Sequence, residues 1–460
     1  MITIYNKNEI LKNAETKIDY KAREIVLKAI EVALKECDPF KIIKKHVKLK
    51  DNVLTIKGHS FSIKDFERII VIGVGKACGG MAQALEGILG DRISYGKIGV
   101  LRGTKHRYKL NKIKLYEASH PIPDESSLEF AKETLNLLKD LTDKDLVLCL
   151  ISGGGSALMS LPKEEISLEE KRMIIGKLLK AGAKIDELNA LRKHISAIKG
   201  GQLAKKAFPA TLISLIISDV VGDPIDVIAS GPTAPDSSTY IDAINVLKKY
   251  KLWDKTPLSI QEVLEKGKHG KLEETPKQGD RIFKKVFNFI IGNNESICLA
   301  VKRYLISLNI NTIVLTSFLE GEARHVGNFL GTIVKEIFYS NNPIKKPAAI
   351  IAGGETTVTV AGNGKGGRNQ ELVLGAALKI NGLKGTVIAS IGTDGIDGNT
   401  DAAGAIANGK TINKGKALGL IPEEFLAKNN TYEFFLRIKD LILTGPTGTN
   451  LNDITIGLVI

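Results

Sequence analysis

Four residues of this chain carry the types and surroundings that phosphoryl or carboxylate chemistry needs: Lys76, Asp219, Arg368 and Asp394. Lys76 lies in IIVIGVGKACGGMA, residues 69–82, which reads as a strand, a glycine turn and a helix. Backbone N–H groups at such a turn attract anions, and Gly73 and Gly75 let an oxyanion approach the main chain. A lysine there can neutralise a phosphoryl group in transfer. The string fits neither common nucleotide motif. A Walker loop would need glycine at Ile70 and Ser or Thr at Ala77, and a dinucleotide fingerprint would need glycine at Cys78. The next strand ends at Arg102, a residue able to take the extra phosphate of NADP, so a reductase stands as the alternative.

The theme recurs at LVLCLISGGGSALMSLP, residues 146–162. Ser152, Gly153, Gly154, Gly155 and Ser156 follow an apolar run. Three glycines in a row are a costly connection, which favours phosphate or carboxylate binding, and the GxSxG elbow of a serine nucleophile is absent. LNALRKHISAIKGGQLA, residues 188–204, reads as a helix that ends at a glycine break. At 100° per residue, Asn189, Arg192, Ser196 and Lys199 share one face suited to an anion. His194 falls between the faces and reads as a hydrogen-bonded partner rather than a base. Asp219 closes the apolar run Thr211–Ile217, where a carboxylate can hold Mg²⁺, accept a proton or cap a helix.

The second half is denser in such sites. Glu355 follows a glycine pair, and GNGKGGRNQE, residues 362–371, delivers Arg368 and Asn369 to a helix start. Arginine offers a planar fork to phosphate oxygens. GTDGIDGNTD, residues 392–401, places Asp394 after another strand. It resembles part of a calcium loop but has Ala405 where the twelfth-position Glu belongs, so a role toward Mg²⁺–nucleotide or substrate suits Asp394 better. TGPTGTNLND, residues 444–453, is rich in hydroxyls and amides and either orients a ligand or caps the fold.

These loops need a scaffold, and the chain supplies an α/β one. Its 460 residues exceed what one core organises. Apolar runs at Ile69–Gly73, Gly96–Leu101, Lys114–Ala118, Leu146–Ile151 and Thr211–Ile217 alternate with helical patterns and predict a parallel sheet. A charged helical stretch, about 237–284, reads as a joining segment. A second series holds Val286–Ile291, Asn311–Thr316, Ala348–Ala352, Thr356–Ala361 and Thr386–Gly392, with Ile454–Ile460 as a last strand, antiparallel if anything. The expected domains are 1–284 and 285–460. Asp19–Lys35 has helical spacing and could pack on either. The formal charge is +14, but cations are spread through helices such as 171–184 and aromatic residues are 5%, which disfavours nucleic-acid binding. Cys37, Cys78, Cys149 and Cys298 form no CxxC pair, so no disulfide or metal framework is expected. No apolar run reaches the ~18 residues of a membrane helix and no signal peptide opens the chain, which reads as cytoplasmic.

The strings VGKA, SHPIPD, SGGGSAL, LRKHISAIKGGQLA, SDVVGD, ASGPT, GGETTV, GKGGRNQE, GTDGIDG and TGPTGTN stand in one order. In that order they resemble the two-domain glycerate kinases, whose C-terminal part is the MOFRL domain and whose members are often labelled hydroxypyruvate reductases. The resemblance covers about 69–460. It implies a Rossmann-like N-terminal domain with a parallel sheet, a C-terminal domain with a mixed sheet, and an active site in the cleft between them. It also implies ATP-dependent phosphorylation of D-glycerate to 2-phosphoglycerate with Mg²⁺ or another divalent cation. The family's catalytic lysine and arginine fall on Lys76 and Arg368, and its strand-end aspartates on Asp219 and Asp394, the candidate metal ligands through Mg–ATP. Gly73, Gly75, 152–156, Arg192, Lys199, Glu355 and Asn369 are the candidate contacts to substrate and nucleotide. NADP-dependent hydroxypyruvate reduction is the alternative, no membrane or nucleic-acid partner is expected, and a homodimer is left open.

Overall fold

A computed structural model describes residues 3–460. Contacts divide the described residues into one unit of 39–291 and another built from 3–38 with 292–460. The first unit opens on a small antiparallel sheet of β1 (Val47–Lys50), β2 (Val53–Ile56) and β3 (His59–Ser62). Its main sheet holds β4 (Arg68–Val74), β5 (Ile93–Leu101), β6 (Ile113–Ala118), β7 (Asp145–Ile151), β8 (Thr211–Ile217) and β9 (Val286–Gly292). Their order is β6-β5-β4-β7-β8-β9, and β4 to β8 pair in parallel. Every residue of β7 is buried, as a strand covered on both faces requires. Because β4, β7 and β8 are neighbours, the loops that follow them meet at one edge of the sheet.

The second unit contains β10 (Asn311–Leu319), β11 (Ala348–Gly354), β12 (Thr386–Gly392), β13 (Gly404–Asn408), β14 (Leu441–Ile442) and β15 (Asp453–Val459). The order β10-β11-β15-β12-β13-β14 is mixed: β10 and β11 are parallel, whereas β15 runs antiparallel to both β11 and β12. The last strand therefore sits in the middle of the sheet. Its first residue, Asp453, registers with Gly354 on one side and Gly392 on the other.

Three expectations change. Val286–Ile291 belongs to the first sheet beside β8, where Asn288 exchanges hydrogen bonds with Thr233 (2.9 and 3.0 Å). Residues 237–284 do not join two domains; their helices Tyr240–Lys249 and Leu258–Lys268 pack in the first unit around the helix Ile185–His194. Thr356–Ala361 forms no strand beyond a single bridge of Thr357 with Glu322. Side chains take over its backbone donors: Glu322 accepts from Thr359 N, and Asn429 from Ala361 N.

The boundary also moves, because the N-terminal helix Lys17–Glu36 packs with the second unit. Thr16 caps it by accepting from Asp19 N at 3.2 Å, and Val26, Ala29, Ile30 and Ala33 form its buried stripe. Arg23 on the same helix forks onto Asp440 at 2.6 and 2.9 Å, both side chains being almost fully buried. Removing one member leaves the other charge stranded. Asp440→Ala is expected to lower unfolding stability by about 3–5 kcal/mol, and Arg23→Met with Asp440→Leu to recover most of it. Urea denaturation of the three proteins checks this; a single-variant cost below about 1 kcal/mol is the contrary outcome.

Candidate functional sites in the two units

Three loops converge at the carboxyl edge of the first sheet. Lys76 N–H donates to Gly153 O at 2.9 Å, and Ala77 N–H donates to Ser152 Oγ at 3.0 Å, so the turn after β4 is tied to the glycine loop after β7. The approach is closest at Gly153, where a methyl group would overlap the Asp219 carboxylate at the end of β8. Gly154 takes φ +82°, and a side chain there would press on His120 and the stem of Lys76. Only glycine allows both. His120 enters from the loop after β6. Burial, followed by the nearby Lys76 charge, pushes its imidazole down to about 4, so it stays neutral at neutral pH.

Beside this edge lies a cavity of about 690 Å³, lined by Gly154, Ser156 and His120 and by four cations: Lys171, Arg192 and Lys199, with the exposed Arg172. Lys171 and Lys199 are 4% and 3% exposed. Lys171 Nζ donates to Ser160 Oγ at 3.2 Å and Lys199 Nζ to the Ser156 carbonyl at 2.9 Å. Burial pushes Lys171 down to about 7, with Arg192 adding to the shift. Lys199 is pushed down by burial and then by both neighbouring cations, and Arg192 by burial alone.

In the second unit the chemistry is inverted. Arg368 opens the helix Arg368–Ile380 and forks onto Asp453 at 2.5 and 2.9 Å, with Glu355 2.9 Å away on the remaining nitrogen. Burial pushes the Asp453 carboxyl up, Asp397 and Glu355 add to that, and the guanidinium opposes it. Asp397 itself caps the helix, accepting from Asn369 N at 3.0 Å and Gln370 N at 2.9 Å. Asp394 is half-buried, with Oδ1 accepting from Ile396 N at 3.1 Å and its other oxygen without a hydrogen-bond partner among the described residues. Asn369 is enclosed, accepting from Ser390 Oγ at 2.6 Å.

The predicted residues thus fall into two sets. Gly73, Gly75, Lys76, 152–156, Arg192, Lys199 and Asp219 gather in the first unit; Glu355, Arg368, Asn369 and Asp394 gather in the second. One pattern is corrected. The helix carrying Asn189 and Arg192 stops at His194, so Ser196 and Lys199 do not extend its face. Lys199 returns through a turn, and Ser196 Oγ binds Leu161 O at 3.0 Å. His194 is, as expected, a buried partner, bonded to Ala190 O and Glu274, each at 2.7 Å. The four cysteines are free and buried. Lys171 and Asp453 were not anticipated. The first sits in a helix whose charges read as surface, and the second stands one residue before an apolar run.

Comparisons with known proteins agree over most of the chain. The profile of a domain of unknown function (DUF4147) matches residues 25–265, and that of the MOFRL family matches 348–453. A glycerate 2-kinase of Pyrococcus horikoshii is 44% identical over 440 residues, 95% of this chain and 97% of its own length. A D-glycerate 2-kinase of Thermotoga maritima is 44% identical over 396 residues, 86% of this chain and 92% of its own. The crystal structure of a Thermotoga maritima glycerate kinase superposes with a TM-score of 0.84 at 40% identity, spanning 95% of this chain and 99% of that one.

The depressed Lys171 gives a pH signature. The unfolded lysine titrates near 10.4 and the folded one near 7. Between these values the unfolded chain binds more protons, so stability rises with pH. The penalty is complete below about pH 7 and gone above about pH 10.4. Lys171→Met is expected to melt above the ligand-free parent at pH 7, with the gap narrowing toward pH 9. A gap that stays constant across that range contradicts the assignment.

Proposed function

The chain belongs to the two-domain glycerate 2-kinase family that ends in a MOFRL domain, and we propose that it transfers the γ-phosphoryl group of ATP to the 2-hydroxyl of D-glycerate. The acceptor oxygen forms a bond to phosphorus, the bond from phosphorus to the ADP oxygen breaks, and the hydroxyl proton passes to a carboxylate. Positioning and charge neutralisation dominate such a reaction. Lys76 and Arg368 are the cations proposed to act on the transferring oxygens, and Asp219 and Asp394 the carboxylates for the proton and for a divalent ion. Acceptor and position come from the relatives' names. The chemistry is supported most by Lys76, a lysine with no salt bridge among the described residues. It is tied through its backbone to a triple-glycine loop with the Asp219 carboxylate against it.

Among the described residues no group of three or more His, Cys, Asp or Glu could hold a metal unaided. An ion that arrives on ATP needs only one or two carboxylates beside the nucleotide's own oxygens. The spare oxygen of Asp394 fits that mode. Bound so, Mg²⁺ would supply charge stabilisation to the phosphoryl oxygens.

Incubation with D-glycerate, ATP and Mg²⁺ is expected to give 2-phosphoglycerate by ³¹P NMR. Oxidation of NADPH by hydroxypyruvate, with no phosphorylated product, is the result that removes the kinase reading. Lys76→Met and Arg368→Met are each expected to lower kcat by at least about 100-fold. A change confined to KM would mean that they bind without stabilising the transition state. Gly153→Ala is expected to fold yet lose activity, because the added methyl displaces Asp219.

A further inference from the structure

Of the three buried lysines of the first unit, one is neutralised by carboxylates. Lys193, 3% exposed, has Asp236 at 3.1 Å and Asp226 at 3.2 Å. Its chain neighbour Arg192 points into the cavity, and there Lys171 and Lys199, equally buried, have only a serine hydroxyl and a backbone carbonyl. None of the three cations has a salt bridge among the described residues. The one carboxylate that lines the cavity is the exposed Glu169, with Arg172 beside it. Three clustered, desolvated cations with no acid are a standing cost unless an anion supplies the missing charge.

That anion has to carry more than one charge. A single carboxylate would leave two cations uncompensated, whereas a nucleoside triphosphate matches the trio. Size points the same way. About 690 Å³ falls in the range of sites for drug-sized ligands, far beyond the needs of a three-carbon acid. Much of the remaining lining is apolar and includes Ile122, Met173 and Leu179, all exposed to solvent and able to cover a base. Gly154, which also lines the cavity, lies against the stem of Lys76.

We propose that this cavity of the first unit is the nucleotide site, in which Lys171, Arg192 and Lys199 hold the triphosphate and Ile122, Met173 and Leu179 cover the base. The assignment rests on the kinase reading for the identity of the nucleotide, and it directs the terminal phosphate toward Gly154 and Lys76.

The test compares the parent with Lys171→Met, Arg192→Gln and Met173→Ser in steady-state kinetics, and in thermal shift with MgATP and with tripolyphosphate. Lys171→Met and Arg192→Gln are expected to raise KM for ATP about 10-fold or more while KM for D-glycerate stays within about 2-fold. Both should lose protection by tripolyphosphate. Met173→Ser should weaken ATP about 5-fold and leave tripolyphosphate binding unchanged. Lys171→Met should also melt above the ligand-free parent at pH 7, which a structural lysine would not do. Three results overturn the assignment: a rise in KM for D-glycerate alone, which makes the trio a carboxylate site; no kinetic change; or a Lys171→Met protein that melts lower with its ATP affinity intact. A parent that binds MgATP through these residues but makes no phosphoglycerate removes the kinase reading and keeps the site. A parent that phosphorylates glycerate with Lys171→Met unaffected does the reverse.

Discussion

Positive charge without a counterion is expensive away from water, and the first unit gathers that cost in one place. The helix Leu168–Lys180 turns Lys171 inward beside Leu168, Ile174 and Leu178. The helix Ile185–His194 ends just in time for the chain to turn back and bring Lys199 to the Ser156 carbonyl. Around these side chains the fold is otherwise ordinary, with Lys193 paired twice and His194 bonded at both nitrogens. Beside a lysine held by two carboxylates, three desolvated cations without an acid mark where this unit concentrates uncompensated positive charge.

The two sheets reach a similar end by different connections. In the parallel sheet, neighbouring strands deliver their following loops to one edge, so Lys76, Gly153 and Asp219 meet although they are far apart in the chain. In the mixed sheet, β15 runs against its neighbours, so its first residue lies between the last residues of β11 and β12. That register brings Asp453 beside Glu355 and Arg368. One edge is rich in cations and glycine; the other surrounds a single arginine with carboxylates. The first suits oxyanions. The second fixes the orientation of Arg368 through a forked bond, and such a fork costs less conformational entropy per hydrogen bond than a lysine would.

Much of this was legible in the sequence. Glycine clusters placed just after apolar runs announced the strand-end loops, because glycine in such numbers has a local cause: main chain must pass close to main chain or to a ligand. Arg368 was legible for the same reason, standing next to Gly367, and Asp219 because it follows the end of an apolar run. The helix 188–204 misled because periodicity says which residues would share a face and not where the helix stops. Thr356–Ala361 misled because its apolar and β-branched residues fit a strand, while Glu322 and Asn429 satisfy its backbone instead.

The amino-acid sequence by itself determined the local events: which segments extend, where glycine permits a sharp turn, and which loops carry a cation or a carboxylate. Tertiary structure alone decided which of those loops are neighbours, that the N-terminal helix closes onto the second unit through Arg23 and Asp440, and which charges lose their water. Lys171 shows the difference. In the chain it is one lysine among many in a charged helix, and nothing local sets it apart from Lys177 or Lys180. Burial is a property of everything packed around a residue, and a charge acquires its chemical meaning only when water and counterions have been removed.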